Sequence, residues 1–377
     1  MINRRKTKKV FYGNVAVGGD SVISVQSMTT TRTDDIDETV AQISRLETAG
    51  CDIVRLAVPD KKAAEALPEI LRQTTIPIVA DIHFDHTLAL LSVQAGVHAL
   101  RLNPGNIKKE EHVKKAVQAA KERKIPIRVG VNQGGLQESW MKGVDLTLPI
   151  EEQFAHAMVN GAFTHIRILE ELDFTDIVIS LKSSDVLTMI NAHRIMASRC
   201  EYPFHLGVTE AGPAFQGSIK SAIGIGTLLQ EGIGDTIRIS LSDDPVLEVK
   251  AGRTILQALG IRRDFPEIIS CPTCGRVKID VISLAKKVEK AFEGVKGDLK
   301  VAVMGCEVNG PGEAGDADIG VMGTYGKGLL FKNGEIIDRI PEDQVIDRLV
   351  EEGKKIIAEK EQAMKSNKET STVGAKN

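Results

Sequence analysis

The sequence predicts an α/β protein, a (β/α)8 TIM-type barrel followed by a smaller α+β domain. Three observations carry that prediction. From residue 20 to 260, short apolar, β-branched runs alternate with longer amphipathic stretches; such alternation implies a parallel sheet, and eight units in about 240 residues match a closed barrel. After Gly260 the texture changes, and a Cys-x-x-Cys pair opens a second segment. Hydrophobic residues make up 42% of the 377 positions and charged residues 26%, enough to build a core in each of two or three domains.

The eight apolar runs are Val22–Gln26, Ile53–Val58, Pro77–Ile82, Ala99–Asn103, Pro126–Asn132, Ile177–Lys182, Phe204–Thr209 and Thr236–Leu241. Between them lie helix-patterned segments such as Asp37–Ala49, Lys61–Gln73, Lys108–Lys121 and Ser218–Glu231, several ending in glycine or a charged turn as helix C-termini do. The gap between the fifth and sixth runs is longer than the others. It contains Thr164–Leu169, which has the composition of a ninth strand but runs straight into Glu170-Glu171 and is assigned to a helix end. A doubly wound open sheet is the competing architecture. It usually binds a dinucleotide through G-x-G-x-x-G, and the nearest match, Gly224-Ile225-Gly226-Thr227-Leu228-Leu229, lacks the third glycine.

A helix over Pro245–Leu259 and a link, Gly260–Pro266, end the barrel, giving a first domain over 1–260. The second domain, 267–361, reads as a helix over Val277–Glu293, a strand over Lys300–Met304, a hairpin turning at Asn333-Gly334 and a charged helix over Pro341–Glu361. Residues 362–377 read as a disordered tail. Forty-eight basic against 51 acidic residues give a net charge of −3, so nothing in the overall balance calls for nucleic acid or an anionic membrane as partner. The basic Arg4–Lys9 cluster lacks an apolar segment after it and reads as a solvated terminus. Five cysteines are too few and too odd for a disulfide scaffold. Cys51 and Cys200 read as small buried hydrophobes, and a reducing cytoplasm fits the set.

Four strands carry an arginine between apolar neighbours: Arg55, Arg101, Arg128 and Arg238. Burying a guanidinium without a partner costs several kcal/mol. One such arginine reads as a private ion pair; four of them in the C-terminal parts of barrel units point to a shared anion at the top face, where barrel active sites form. Strand-end polar residues extend the pattern: His83, Asn103, Asn106, Asn132, Lys182, Ser183, Ser184, Glu210 and Ser240. Four arginines and a lysine suit a phosphate or diphosphate better than a single carboxylate.

Cys271, Cys274 and Cys306 form the second constellation. Zinc, an iron–sulfur cluster or a redox dithiol with a bystander are the alternatives. All eight histidines lie at or before His205 and no cysteine follows Cys306, so a fourth ligand from this domain is oxygen, or it is exogenous. Three thiolates and an oxygen fit structural zinc poorly and favour a [4Fe–4S] cluster with one iron open to chemistry. The loop after Cys306 supplies glycines for close backbone approach and two carboxylates, Glu307 and Glu313.

Several motifs together resemble the bacterial 4-hydroxy-3-methylbut-2-enyl-diphosphate synthase family of the non-mevalonate isoprenoid pathway. They are Gln26-Ser-Met-Thr29, Ala80-Asp-Ile-His-Phe84, Arg101-Leu-Asn-Pro-Gly-Asn106, His205-Leu-Gly-Val-Thr-Glu-Ala-Gly212, Gly232-Ile-Gly-Asp-Thr-Ile-Arg-Ile-Ser240 and Cys306-Glu-Val-Asn-Gly-Pro-Gly-Glu313. The resemblance extends to about residue 360 and matches the compact bacterial form, without an extra middle domain. It implies reductive ring opening of 2-C-methyl-D-erythritol 2,4-cyclodiphosphate with two electrons from flavodoxin or ferredoxin. It implies one [4Fe–4S] cluster per subunit on Cys271, Cys274, Cys306 and Glu313, and a diphosphate held by Arg55, Arg101, Arg128, Lys182 and Arg238. His83, Asn103, Asn132, Glu210 and Ser240 would complete the pocket, with Glu210 best placed to deliver the proton that loss of a hydroxyl requires. Two other readings of the residues stand beside it. A non-redox iron–sulfur hydratase or dehydratase acting on a phosphorylated small molecule would turn over without reductant, and an iron–sulfur sensor or scaffold would have no use for the arginines.

Topology adds an expectation about assembly. The eighth barrel helix should release the chain at the bottom of the barrel, and the seven residues Gly260–Pro266 span at most about 25 Å. That is barely enough to climb the barrel wall. A head-to-tail homodimer, each small domain capping the partner's barrel, is therefore expected, and the family resemblance points the same way.

Overall fold

The computed structural model describes residues 2–107, 109–306, 312, 314–324 and 327–373. The chain divides into two compact units, Met1–Arg262 and Arg263–Asn377.

In the first unit every predicted run forms a strand: β3 (Ser24–Met28), β4 (Ile53–Ala57), β5 (Ile78–Asp81), β6 (Ala99–Arg101), β7 (Ile127–Asn132), β8 (Ile177–Lys182), β9 (His205–Leu206) and β10 (Thr236–Ile237). Their order is β8-β7-β6-β5-β4-β3-β10-β9, all parallel, and a parallel bridge from Ile179 to Phe204 joins the two ends into a barrel. Helices on the outside bury the strands on both faces, which is why β5 and β8 are buried at every residue. The helices are α1 (Ile36–Thr48), α2 (Lys61–Gln73), α3 (His86–Ala95), α4 (Glu110–Arg123), α5 (Ile150–Glu170), α6 (Val186–Ala197), α7 (Ala214–Gln230) and α8 (Pro245–Ala258). Aspartates cap five of them: the Asp35, Asp60, Asp85, Asp185 and Asp244 side chains each accept a hydrogen bond from a first-turn amide. The segment 164–169 lies inside α5, so the helical assignment of that ambiguous stretch holds.

Two features of this unit were not read from the sequence. A hairpin, β1 (Val10–Tyr12) paired with β2 (Val15–Val17), closes the barrel floor, packing Val10, Tyr12 and Val17 on Ile53, Val79, Ala99 and Val178 near the strand starts. The basic terminus is not solvated as expected. Arg4 pairs with Asp235 at 3.1 Å, Lys9 with Asp20, and Arg5 bonds the carbonyls of Cys200 and Tyr202 while lying 4.1 Å from the Phe204 ring centroid. Carbonyls, carboxylates and an aromatic face at the barrel base give these cations partners that a local reading of charge cannot see. Cys51 is buried and Cys200 half-buried.

The second unit is a five-stranded sheet ordered β11 (Glu267–Ser270), β12 (Lys300–Met304), β13 (Ile319–Thr324), β14 (Lys327–Lys332) and β15 (Glu335–Pro341), the first three parallel and the last three antiparallel. The β14–β15 turn is Asn333-Gly334 at φ 50° and 83°, the paired positive values that make this dipeptide a hairpin signal. Helices α9 (Val281–Ala291) and α10 (Val345–Val373) contribute to its core, through residues such as Leu284, Val288, Val345 and Leu349. Helix α10 continues past Glu361, so residues 362–373, read from sequence as part of a disordered tail, are helical.

Candidate active site

The strands carry the cations to one end of the barrel. Arg55 sits in β4, Arg101 ends β6, Arg128 follows the start of β7, Lys182 ends β8 and Arg238 follows β10. Register places Arg101 beside Arg128, Asn132 beside Lys182 and Met28 beside Arg55. Two buried carboxylates stand among them. Asp81 lies 3.4 Å from Arg55 Nε, 3.5 Å from Arg101 Nη1 and 3.8 Å from His83 Nε2. Glu248 of α8 accepts from Arg238 at 3.1 and 3.3 Å, from the Ser27 hydroxyl at 2.9 Å and from the Leu241 amide at 3.1 Å.

Private ion pairs and a shared ligand are competing readings of the arginines, and the ion pairs are present for three of them. Arg55, Arg101 and Arg238 have carboxylate partners, whereas the buried Arg128 and Lys182 have no carboxylate within ion-pair distance among the described residues. At several kcal/mol for each unpaired buried charge, these two cations are anomalous as parts of the fold alone.

The electrostatics agree. Burial, with Arg128, Arg238 and Arg101 nearby, pushes the Arg55 affinity for its proton far down despite Asp81. Burial lowers Arg128 to about 10. Lys182 is driven well below its ordinary value by burial and by Arg238, Arg55 and Arg128. Burial works to raise Asp81, but Arg55, Arg101 and Arg128 outweigh it and hold the carboxyl below the usual range. Arg128 Nη1 reaches Gln26 Oε1 at 3.3 Å, whereas its Nη2 has no hydrogen-bond partner among the described residues. His205 is fully buried beside the same cations, with both ring nitrogens unpartnered and its protonation strongly disfavoured by burial.

The Gln26-Ser27-Met28 run now has a physical meaning. Gln26 holds Arg128, Ser27 holds the carboxylate that orients Arg238, and the Met28 thioether accepts from Arg55 Nε at 3.2 Å and Nη2 at 3.0 Å. Gly207 is glycine for a similar reason: a Cβ there would come within 2.5 Å of the Arg238 carbonyl and 2.8 Å of Lys182 Nζ.

The remaining predicted residues divide. His83 is exposed, with Nδ1 3.1 Å from Arg101 Nη1. Asn132 is exposed at the end of β7, and Ser240 is half-buried three residues past β10. Glu210 is exposed in the turn after β9, its backbone in the left-handed region at φ 51°. Asn103 is occupied structurally: its amide donates to the Gly130 carbonyl at 2.6 Å and accepts from the Gly130 amide at 2.9 Å. Asp81 and Glu248 were missed. Asp81 stood inside a quoted motif, and its position at a strand end beside His83 was the available signal.

In the second unit, Cys271 directly follows β11 and Cys306 lies just past β12, its parallel neighbour. The Gly305 amide donates to Cys271 Sγ at 3.1 Å, and a Cβ on Gly305 would meet Val281 at 2.7 Å and that sulfur at 3.5 Å. Cys306 is buried and Cys274 exposed. A bare backbone giving an N–H to sulfur, with thiols at adjacent parallel strand ends, is a donor set that fits a sulfur-ligated iron cluster. Among the described residues no three His, Cys, Asp or Glu side chains form a group that could hold a metal ion. Glu307 and Glu313 lie outside the described residues.

Fold and site together define the class: a TIM-barrel protein with five cations gathered at one end of the barrel, joined to a small domain with cysteines at its strand ends. The chain belongs to the GcpE family. Residues 7–253 match the GcpE TIM-barrel domain and residues 267–355 the GcpE protein C-terminal domain. It is 51% identical over 374 residues to the 4-hydroxy-3-methylbut-2-en-1-yl diphosphate synthase (flavodoxin) of Geobacillus thermodenitrificans, covering 97% of this chain and 98% of that one. The synthases of the same name from Clostridium perfringens and Geobacter sulfurreducens are 54% and 52% identical, with 93% and 95% of this chain and 98% and 99% of theirs covered. Among the described residues no helix is long and apolar enough to cross a membrane.

Proposed function

We propose that the barrel mouth is where this chain performs the reaction for which its relatives are named. It is an oxidoreductase that converts 2-C-methyl-D-erythritol 2,4-cyclodiphosphate to 4-hydroxy-3-methylbut-2-enyl diphosphate, with flavodoxin as electron donor. Two electrons enter, the ring C–O bond to the diphosphate breaks, and a hydroxyl leaves as water, taking a proton. The observation that carries the site assignment is the buried pair Arg128 and Lys182, which lack carboxylate partners among the described residues and have three more arginines around them.

The chain's residues have distinct tasks in this reading. Arg55, Arg101, Arg128, Lys182 and Arg238 bind the cyclic diphosphate and stabilise the negative charge that grows on it as the ring opens. Asp81 and Glu248 keep three of those guanidinium groups fixed, so little reorganisation is needed when charge develops. His83, Asn132 and Ser240 supply polar contacts at the rim. Glu210 donates the proton to the leaving hydroxyl. Cys271, Cys274 and Cys306, with Glu313 as the exchangeable fourth ligand, would hold one [4Fe–4S] cluster, which when bound supplies the electrons.

We infer a head-to-tail homodimer as the working form. Arg262 fixes the point where the chain leaves the barrel: its guanidinium bonds the Ile23 carbonyl at 3.1 Å and Asp52 at 2.6 and 3.2 Å, residues just ahead of β3 and β4. That is the base, opposite the cations. The short link that follows supports a mouth served by the thiols of a second copy.

The test is anaerobic purification with iron and sulfide analysis, then assay of the cyclic diphosphate with and without reduced flavodoxin. Iron and sulfide near four each per chain, and turnover only with reductant, are expected. Turnover without reductant would support the hydratase reading instead.

A further inference from the structure

The strongest unassigned feature is a histidine on the helix layer that reaches the arginine-bearing loop of the mouth. His165 lies in α5, is 1% exposed, and touches neither a charged partner nor solvent. Its Nδ1 accepts a hydrogen bond from the Gly105 amide at 3.0 Å. Because Nδ1 accepts, the ring is neutral and its proton sits on Nε2. Burial, with Arg101 adding to it, pushes the imidazole down to about 4, so the acceptor persists through the neutral range.

The fit between the two residues is close. A Cβ on Gly105 would stand 2.7 Å from both Cε1 and Nδ1 of His165, so the backbone there is pressed against the ring. The ring is held from its other side. Trp140 packs edge-on with centroids 5.9 Å apart, and Trp140 is itself fixed by Asn160 donating to its carbonyl at 2.9 Å and by the bare Cα of Gly161, where a Cβ would meet the indole at 2.5 Å. The long excursion between β7 and β8, which carries Trp140 and leads into α5, thus ends in a rigid imidazole aimed at one amide.

That amide belongs to Arg101-Leu-Asn-Pro-Gly-Asn106. Arg101 at its head pairs with Asp81, and Asn103 ties the loop to the Gly130 backbone of β7. The Arg101 guanidinium also lies over Gly130, 3.4 Å from where a Cβ would be. The loop is therefore pinned at Asn103 to the sheet and at Gly105 to the helix layer. We propose that His165 is a positioning residue for the anion site, fixing the Arg101 loop through the Gly105 amide. This rests on the reading of the mouth as a diphosphate site.

The test uses inorganic pyrophosphate binding by calorimetry on the intact chain, alongside KM and kcat for the cyclic diphosphate. His165→Leu removes the acceptor, and His165→Asn keeps one at the reach of Nδ1. Gly105→Ala places a Cβ 2.7 Å from the ring and displaces it from the other side. Loss of about one hydrogen bond's worth of preorganisation predicts five- to tenfold weaker pyrophosphate binding and a similar rise in KM for His165→Leu, with kcat within about twofold of the parent chain. Gly105→Ala should reproduce this, the double variant should be no worse than either single, and His165→Asn should recover most of the affinity even where its melting temperature falls. Equal binding in all variants, or affinities that follow melting temperature and are not rescued by asparagine, would overturn the assignment while leaving the mouth as the anion site. Absence of pyrophosphate binding in the parent chain would overturn the anion-site reading and this inference with it.

Discussion

Glu210 is held at φ 51°, a conformation that costs a side-chain-bearing residue about 1 kcal/mol relative to glycine. The proposed proton-donor role gives a reason for a residue other than glycine in this turn. Glu210→Gly should therefore raise the melting temperature while turnover collapses, and Glu210→Gln should lose turnover at unchanged stability. Calorimetric melting set beside anaerobic kinetics checks both, and a Glu210→Gly chain that is less stable or fully active would count against the proton-donor role. The arginines give a second expectation. Arg238→Ala strips Glu248 of its cation but leaves it the Ser27 hydroxyl and the Leu241 amide, so the protein should fold, keep its iron and lose roughly 2–4 kcal/mol in kcat/KM. Wild-type kinetics would make the Arg238–Glu248 pair purely structural. At this scale the cations were legible because an arginine between apolar neighbours is anomalous by itself. Asp81 and Glu248 were not, since a single acid at a strand end or in a helix shows no partner until the fold supplies it.

Among the elements, the barrel strands and most helices could be read because their apolar patterns are local. The floor hairpin could not: Val10–Tyr12 and Val15–Val17 are short, and what makes them strands is the apolar strand starts that they cover. The cysteine strands ran the same way, with Lys300–Met304 legible and the carboxylate-bearing loop after Cys306 dependent on residues outside those described. The elements also set two pH dependences. Lys182 at the end of β8 holds its proton weakly because burial and three arginines oppose it. An anion favours the charged form, so Lys182 should hold its proton more tightly once pyrophosphate is bound; the pH dependence of pyrophosphate affinity set beside that of Lys182→Met measures it, and identical profiles would refute it. The buried histidines contribute to acid stability. His193 of α6 is pushed down to about 4, first by burial, and His165 likewise. Unfolded histidine titrates at about 6.5, so the unfolded chain binds more protons between these values. The stabilisation is complete above pH 6.5, falls as pH drops toward 4 and is constant below, on the order of 3 kcal/mol for His193 at about 1.4 kcal/mol per tenfold change in proton affinity. Urea midpoints at pH 7 and 4.5 should show the loss, and His193→Gln should flatten it.

For the molecule as a whole, the proposed function divides labour between two units of one chain: arginines of the barrel would bind and polarise the cyclic diphosphate, and thiols of the small unit would hold the electron-supplying cluster. The division was legible in the change of texture after Gly260. The proposed dimer rests on the link length and on Arg262, which fixes the chain's exit at the barrel base. The measurement that tests this most directly mixes two chains, each inactive alone: one with Arg55→Ala and an intact cysteine set, the other with Cys271→Ser and an intact arginine set. A heterodimer then contains one site with both halves whole. The account predicts recovered flavodoxin-dependent turnover that scales with the heterodimer fraction; verified heterodimers that stay inactive, or full activity in a species that sediments as a monomer, would contradict it.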